Sequence, residues 1–214
     1  MIVVVFISAV LTILGSSLGG DAIWLHYVFK PVTTLLMFGI AWRAQGHPAY
    51  RKAILVALLL SLCGDVFLML PLKFGFELGL VSFLVAHLFF LRAFTRDAPL
   101  FGKRWPLVLL ALLSVANLLV LWPSIGNALR LPVLAYMLCL VCMSAQAVSR
   151  ALSLGTVGAR MAGVGGIAFL ISDTTLAYNK FHAPIPHSAW IVLGTYYLAL
   201  YLIARSTAAS GARS

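Results

Sequence analysis

Two aspartates, Asp65 and Asp173, lie inside strongly apolar stretches, at residues 58–70 and 167–177. A carboxylate in hydrocarbon costs at least about 2.5–3.5 kcal/mol on insertion scales, so each must face a protein interior or a wet cavity. One buried acid that is protonated and a second that is ionised can together protonate a substrate and stabilise the cation that forms. The alternative is that each aspartate only holds helices together, through a hydrogen bond to a serine or a backbone group.

Four further polar residues are candidates for binding a substrate beside this pair: Lys30, His87, Asn179 and Tyr197. Lys30 lies about 9 Å inside its predicted helix, where it either extends its ammonium toward the surface or pairs with an aspartate or an anionic substrate group. His87 lies ten residues into its helix, either as a hydrogen-bonded core residue or within reach of the aspartates. Asn179 and Tyr197 are expected in the outer half of their helices, where interfacial positions are also typical of tyrosine.

The elements that hold these residues are predicted to be membrane helices. Of the 214 residues, 63% are hydrophobic and 9% are charged, against about 45–50% and 25% in a soluble domain. One crossing needs about 20 apolar residues, so the chain has room for about eight crossings and no soluble domain. We predict an all-α polytopic membrane protein, a single domain over residues 1–214. The predicted helices are 2–18, 24–43, 52–72, 77–95, 105–123, 130–149, 160–180 and 187–205.

The basic residues indicate how the helices are oriented. Eleven fall in loops on one side and three in loops on the other, so the positive-inside rule puts both termini in the cytoplasm. The larger set is Arg43, Arg51, Lys52, Arg92, Arg96, Lys103, Arg104, Arg150, Arg160, Arg205 and Arg213, and the smaller set is Lys73, Arg130 and Lys180. On this topology both aspartates lie about 20 Å from the cytoplasmic end, which places them at one depth, nearer the outer face.

Small residues precede both acids at helical spacing. Ala53, Ala57 and Ser61 lead to Asp65 in steps of four, and residues 158, 162 and 166 form a similar row before Asp173. Such rows let helices approach closely, which predicts that both carboxyl groups face a protein interface. The two acids also share the pattern [GS]-D-x-x-L, 108 residues apart. This favours a parallel repeat of two four-helix halves.

Four segments carry a resemblance to a known family. They are Lys30-Pro31, L-C-G-D at residues 62–65, G-L-V-S-F-L-V-A-H at residues 79–87 and S-D-T-T-L-A-Y-N-K-F at residues 172–181. In this order the chain resembles the YhhN-like family of membrane proteins, whose animal members are lysoplasmalogenases. The resemblance implies an eight-helix membrane hydrolase that cleaves the vinyl-ether bond of a lysoplasmalogen, giving a fatty aldehyde and a glycerophospho-base. The two aspartates proposed as catalytic in that family match Asp65 and Asp173.

This chemistry agrees with the polar residues found above. Vinyl-ether hydrolysis begins with proton transfer to carbon, and a second carboxylate can stabilise the resulting oxocarbenium ion and activate water. We therefore expect two catalytic aspartates, a lysophospholipid and water as reactants, and Lys30 as the residue that binds the phosphate. We expect no cofactor, no metal and no nucleic-acid partner, and short loops favour a bacterial inner membrane. The alternative is a proton-coupled transporter, because intramembrane Asp, Lys and His also build proton relays.

Overall fold

The computed structural model describes residues 1–208, and this part of the chain contains eight α-helices and no strand. The residues Arg213 and Ser214, which entered the topology prediction, lie outside the described part. The helices are α1 (Ile2–Leu18), α2 (Ile23–Arg43), α3 (Pro48–Met69), α4 (Gly75–Phe94), α5 (Trp105–Leu121), α6 (Asn127–Leu154), α7 (Val157–Phe181) and α8 (Ser188–Ser206). The prediction of an all-α membrane protein is confirmed, and the helix ends differ from the predicted ones by a few residues.

Seven of the helices in the described part, α2 to α8, are long and apolar enough to cross a membrane. The span of α5 includes the 3₁₀ turn Trp122–Ser124 that continues it, which brings it to 20 residues. Helix α1 is apolar but has 17 residues, about 25 Å, which is the lower end of the range for a spanning helix. Eight crossings would put both termini on one side, whereas seven would separate them. The cytoplasmic location of both termini therefore stays a prediction.

Local signals explain where the helices begin and end. Pro48 stands in the first turn of α3, where its missing N–H costs no hydrogen bond. Gly155 ends α6 with a φ of 63°, a left-handed conformation that glycine adopts without strain. The next residue, Thr156, caps the start of α7 at Val157, because its hydroxyl accepts a hydrogen bond from the Ala159 backbone N–H at 3.2 Å. The α6–α7 connection is therefore short, which fixes these two helices side by side.

Six helices form a closed ring, in the order α2, α3, α4, α6, α7, α8 and back to α2. Helix α1 packs outside this ring against α2 and α8, and α5 packs outside it against α6. Helices α1 and α5 thus take matching peripheral positions, and α3 and α7 take matching positions in the ring. A repeat of two four-helix halves would give this arrangement, and the repeat itself stays an interpretation of the sequence.

The rows of small residues lie at tight helix contacts. A β-carbon on Gly64 would come within 2.6 Å of the Phe83 ring, and one on Gly166 within 3.2 Å of the Ser144 backbone. Ala57 and Ser61 are fully buried. The absence of larger side chains brings α3 against α4 and α7 against α6, so that the acids on α3 and α7 face the inside of the ring.

Candidate active site

A cavity of about 420 Å³ occupies one half of the bundle. All eight helices line it, with the C-terminal halves of α1, α3, α5 and α7 and the N-terminal halves of the others. Its wall is mainly apolar, and its volume is typical of a small-molecule site. Its polar and charged lining residues are Ser16, His26, Lys30, Asp65, Ser114, Asn117, Tyr136, Ser172, Asp173, Thr174, Asn179, Lys180, Ser188 and Tyr196. We call the half that contains Lys30, Asp65, Tyr136, Asp173 and Tyr196 the open half.

Asp65 is surrounded by donors that favour its charged form. The Lys30 Nζ lies 3.4 Å from its Oδ1. The Thr34 and Tyr196 hydroxyl groups donate to its Oδ2 at 2.7 and 2.8 Å. Asp65 is 1% exposed, so an ionised carboxylate here is stable only because a cation and two hydroxyl groups offset its burial. These three contacts favour the ionised form of Asp65 over the neutral one.

Asp173 has a different environment at the same cavity. The Tyr136 hydroxyl donates a hydrogen bond to its Oδ2. Within residues 1–208, no other side chain donates to Asp173 and no cation pairs with it. A neutral phenol offsets the burial of a charge far less than a lysine does. Asp173 is thus the acid of the pair that is suited to carry a proton.

Lys30 lines the cavity beside the acids, as the sequence predicts. Two roles were considered for it, which are binding the substrate phosphate and pairing with an aspartate. Its ammonium lies next to Asp65, and the residue is 7% exposed. A cation already neutralised by a carboxylate at 3.4 Å is poorly placed to bind a phosphate as well. The observed contact is the pairing with an aspartate that the sequence analysis gave as the alternative for Lys30.

His87 does not line the cavity, and the prediction that it contacts substrate is not supported. Its side chain is fully buried, and its ring centre lies 4.6 Å from that of Phe169 and 5.2 Å from that of Tyr136. Neither ring nitrogen has a hydrogen-bond partner within the described residues. The membrane depth predicted for His87 would let it reach the two aspartates. Its side chain instead contacts aromatic neighbours and does not line the cavity.

Of Tyr197 and Asn179, which are both predicted to bind substrate, only Asn179 lines the cavity. Tyr197 is 4% exposed and is absent from the cavity wall, which its neighbour Tyr196 lines instead. Successive residues of a helix point about 100° apart, so only one of the two can face the acids. Asn179 does line the cavity, but its Oδ1 accepts from the Ile185 backbone N–H at 2.9 Å and holds the α7–α8 connection.

Three residues of the site, Thr34, Tyr136 and Tyr196, were not among the site residues predicted from the sequence. Thr34 is one turn beyond Lys30 on α2, and this spacing on one face is a signal that could have indicated it. Tyr136 lies well inside α6, away from the membrane interface where tyrosines concentrate. A hydroxyl at that depth needs a partner, although the sequence does not say which one.

The interior of the opposite half of the bundle is closely packed with large side chains. Phe90, Phe94, Met143 and Leu200 are fully buried there. Arg150 donates two hydrogen bonds to Asp97, each at 2.6 Å. We call this half, around Tyr50, Asp97, Gln146 and Arg150, the closed half. The cavity and the two acids that line it therefore lie in the open half.

Comparison with known proteins assigns the chain to a family. The YhhN family model matches residues 25–207. Lysoplasmalogenase TMEM86B of Sus scrofa is 38% identical over 189 residues, which cover 87% of this chain and 77% of the relative. Lysoplasmalogenase TMEM86A of Homo sapiens is 36% identical, with 87% and 80% covered. A lysoplasmalogenase of Mycobacterium tuberculosis is 32% identical, with 78% and 64% covered. No solved structure gives a significant match. The protein therefore belongs to the YhhN family, as the sequence motifs predict.

Proposed function

We propose that this membrane protein hydrolyses the vinyl-ether bond of lysoplasmalogens and releases a fatty aldehyde and a glycerophospho-base. The observation that carries the proposal is the unequal pair of acids on one apolar cavity: Asp65 bonded to Lys30, Thr34 and Tyr196, and Asp173 bonded to Tyr136. Relatives named lysoplasmalogenase at 30–38% identity support it.

The difference between the acids suggests which one donates the proton. Asp173 transfers its proton to the vinyl carbon that does not bear the ether oxygen, which leaves an oxocarbenium ion on its neighbour. The fixed carboxylate of Asp65 stabilises this cation across the cavity. Asp173, now ionised, accepts a proton as water adds to the cationic carbon, which restores its starting form and gives a hemiacetal.

The hemiacetal then breaks down to the two products. Its hydroxyl proton passes, by way of Asp173, to the ether oxygen, and the carbon–oxygen bond to glycerol breaks. The sum is one water consumed, one aldehyde and one alcohol formed, with both acids unchanged. The residues named supply every proton transfer in this sequence.

The shape of the bundle favours a hydrolase over the transporter alternative. A carrier needs access to its site from both sides of the membrane in turn, through parts that rearrange. In the described residues the closed half is packed with large buried side chains and is held by the Arg150–Asp97 pair. A substrate that enters from one end, reacts and leaves by the same end requires only the cavity of the open half.

The direct test uses purified protein in detergent with a lysoplasmalogen, followed by an aldehyde assay. We expect aldehyde from the vinyl-ether substrate and none from the saturated ether of the same headgroup, because the saturated ether has no double bond to protonate. Folded protein that releases no aldehyde would contradict the proposal. Uptake of intact lysoplasmalogen into vesicles without cleavage would support the transporter instead.

The chain is an integral membrane protein, and we propose the bacterial inner membrane as its location. The connections between its helices are short and seven helices can span. We further propose that residues 1–214 act as one domain. Fractionation of expressing bacterial cells tests the location, and recovery of the protein in the outer-membrane fraction would contradict it.

A further inference from the structure

The basic residues that line the cavity differ in what neutralises them. Lys30 is paired with Asp65 at 3.4 Å. The His26 Nδ1 lies 3.3 Å from the Thr12 carbonyl oxygen. Lys180 has no carboxylate partner among residues 1–208, and its ammonium lies 5.1 Å from the centre of the Phe76 ring. Of these three groups, Lys180 alone is a lysine without a carboxylate partner at the cavity wall.

We propose that Lys180 binds the phosphate of the lysophospholipid and so fixes the vinyl ether at the acid pair. This inference rests on the proposed function, because it concerns the substrate of the same cavity. It gives Lys180 the phosphate-binding role that the sequence predicted for Lys30. Lys180 has no carboxylate partner that would compete with the phosphate.

The spacing along α7 matches the substrate. Lys180 follows Asp173 by seven residues, two helical turns, so both lie on one face about 10 Å apart along the axis. Six bonds separate the oxygen-bearing vinyl carbon from phosphorus in a lysoplasmalogen, a span slightly shorter than those two turns. The flexible lysine stem covers the difference. A substrate with its vinyl ether at Asp173 therefore places its phosphate beside Lys180.

The neighbours of Lys180 prepare it for an anion without neutralising it. Phe76 and Phe181 both line the cavity, and their ring centres lie 5.8 Å apart in an edge-to-face contact. The ammonium over the Phe76 ring gains a cation–π contact, worth about 0.5–1 kcal/mol at an exposed site. A phosphate is a stronger partner than a ring, so binding draws the ammonium from the ring to the substrate.

The test measures two alkenyl substrates that differ only in the phosphate: a lysoplasmalogen and the corresponding 1-alkenyl glycerol. In Lys180→Met we expect KM for the lysoplasmalogen to rise about 10- to 100-fold, as expected for a lost hydrogen bond to a charged group. Its kcat should change less than 3-fold, and the kinetics of the alkenyl glycerol should stay as in wild type. Lys180→Arg should restore most of the loss because it keeps the cation.

Lys73 offers a matched control. It lies at the same end of the bundle, its ammonium is 5.4 Å from the Phe74 ring centre, and it does not line the cavity. Lys73→Met removes the same charge near the same surface and should leave KM for both substrates unchanged. An equal rise of KM in Lys73→Met would overturn the assignment, because it would indicate a general surface field rather than a site.

The outcomes separate this inference from the proposed function. If wild type cleaves neither substrate, the proposed function fails. If wild type cleaves both and Lys180→Met changes them equally, the phosphate role of Lys180 is overturned and the hydrolase stands. A binding titration with the saturated 1-alkyl lysophospholipid, which is not cleaved, gives a readout without turnover and should weaken in Lys180→Met alone. Inorganic phosphate that binds wild type as tightly as this lipid would overturn the assignment to a lipid headgroup.

Discussion

Each half of the bundle contains an aspartate paired with a basic residue, but the two pairs differ in geometry and in burial. In the closed half, Arg150 meets Asp97 through two hydrogen bonds of 2.6 Å and stacks 4.9 Å from the Tyr50 ring centre. In the open half, Lys30 lies 3.4 Å from Asp65 in one contact. The first pair is a two-pronged clamp, whereas the second is a looser contact beside a cavity.

The polar groups around the two pairs also differ in what they bond to. In the closed half, Gln146 donates to the carbonyl oxygens of Phe94 and Pro99 and accepts from the Phe101 backbone N–H at 2.7 Å. Its polar groups therefore fix the backbone of the α4–α5 connection. In the open half the polar groups bond to the two acids, which adjoin the cavity. The Arg150–Asp97 pair and the bonds of Gln146 to backbone therefore support the fold, whereas Asp65 adjoins an apolar cavity and is available to a substrate.

The largest effect should come from the acids of the open half. Asp65→Asn and Asp173→Asn should each lower turnover by about 10²- to 10⁴-fold, because asparagine keeps the size but cannot exchange a proton or carry the charge. Aldehyde release and thermal unfolding of the purified variants measure the two properties separately. The matched control is Asp97→Asn in the closed half, which should keep its kcat per folded molecule. Near-full hydrolysis in either acid variant would remove that aspartate from the mechanism.

Lys30→Met should have the next largest effect on turnover. Its loss leaves Asp65 without a cation, so Asp65 binds a proton more readily and stabilises the oxocarbenium ion less. We expect kcat to fall about 10- to 100-fold with KM changed less than 3-fold. This is the reverse of the pattern expected for Lys180→Met. A raised KM with unchanged kcat would return Lys30 to the phosphate role assigned from the sequence.

Arg150→Met should change stability rather than chemistry. Breaking a buried ion pair costs about 3–5 kcal/mol, and we expect the lower end because the Asp97 side chain is 38% exposed. Denaturation of the detergent-solubilised protein measures the loss. The kcat per folded molecule should stay within 2-fold of wild type. A folded variant with little activity would show that the two halves are coupled. It would contradict the assignment of stability to the closed half and chemistry to the open half.

The smallest effect is expected for His87→Phe. His87 is fully buried, and its ring nitrogens have no partner among the described residues. Phenylalanine keeps a ring against Phe169 and Tyr136 and removes two unsatisfied polar atoms, so the free energy of unfolding should stay equal or rise by about 1 kcal/mol. Turnover should stay within about 3-fold. A much larger loss of kcat would give His87 a role in the reaction.

The sequence predicts depth in the membrane better than direction around a helix. Apolar runs locate the helices, and 1.5 Å per residue gives the level of each polar group, which brought Asp65 and Asp173 to one layer. Tyr196 and Tyr197 have nearly the same depth, yet only Tyr196 reaches Asp65. Which side of a helix faces the cavity depends on the neighbouring helices, and these follow from packing between distant segments.

The same limit applies to the choice of partners. Lys30 and Asp65 are on different helices, and Tyr136 is 37 residues from Asp173. The cost of burial predicts that each acid needs partners, but several hydroxyl groups lie at suitable depth. The unequal environments of the two acids, and thus the direction of proton transfer, follow only from the arrangement of the ring of helices.

Proton delivery by Asp173 is tested most directly by hydrolysing a lysoplasmalogen in D₂O and trapping the aldehyde at once. We expect one deuterium on the carbon next to the carbonyl group and a slower reaction than in H₂O, because the proton reaches carbon in the first step. Asp173→Asn should form no product. As a control, unlabelled aldehyde incubated with this variant in D₂O measures any deuterium that enters after hydrolysis. Aldehyde without deuterium from wild type, or labelled aldehyde formed at the normal rate by Asp173→Asn, would contradict the account.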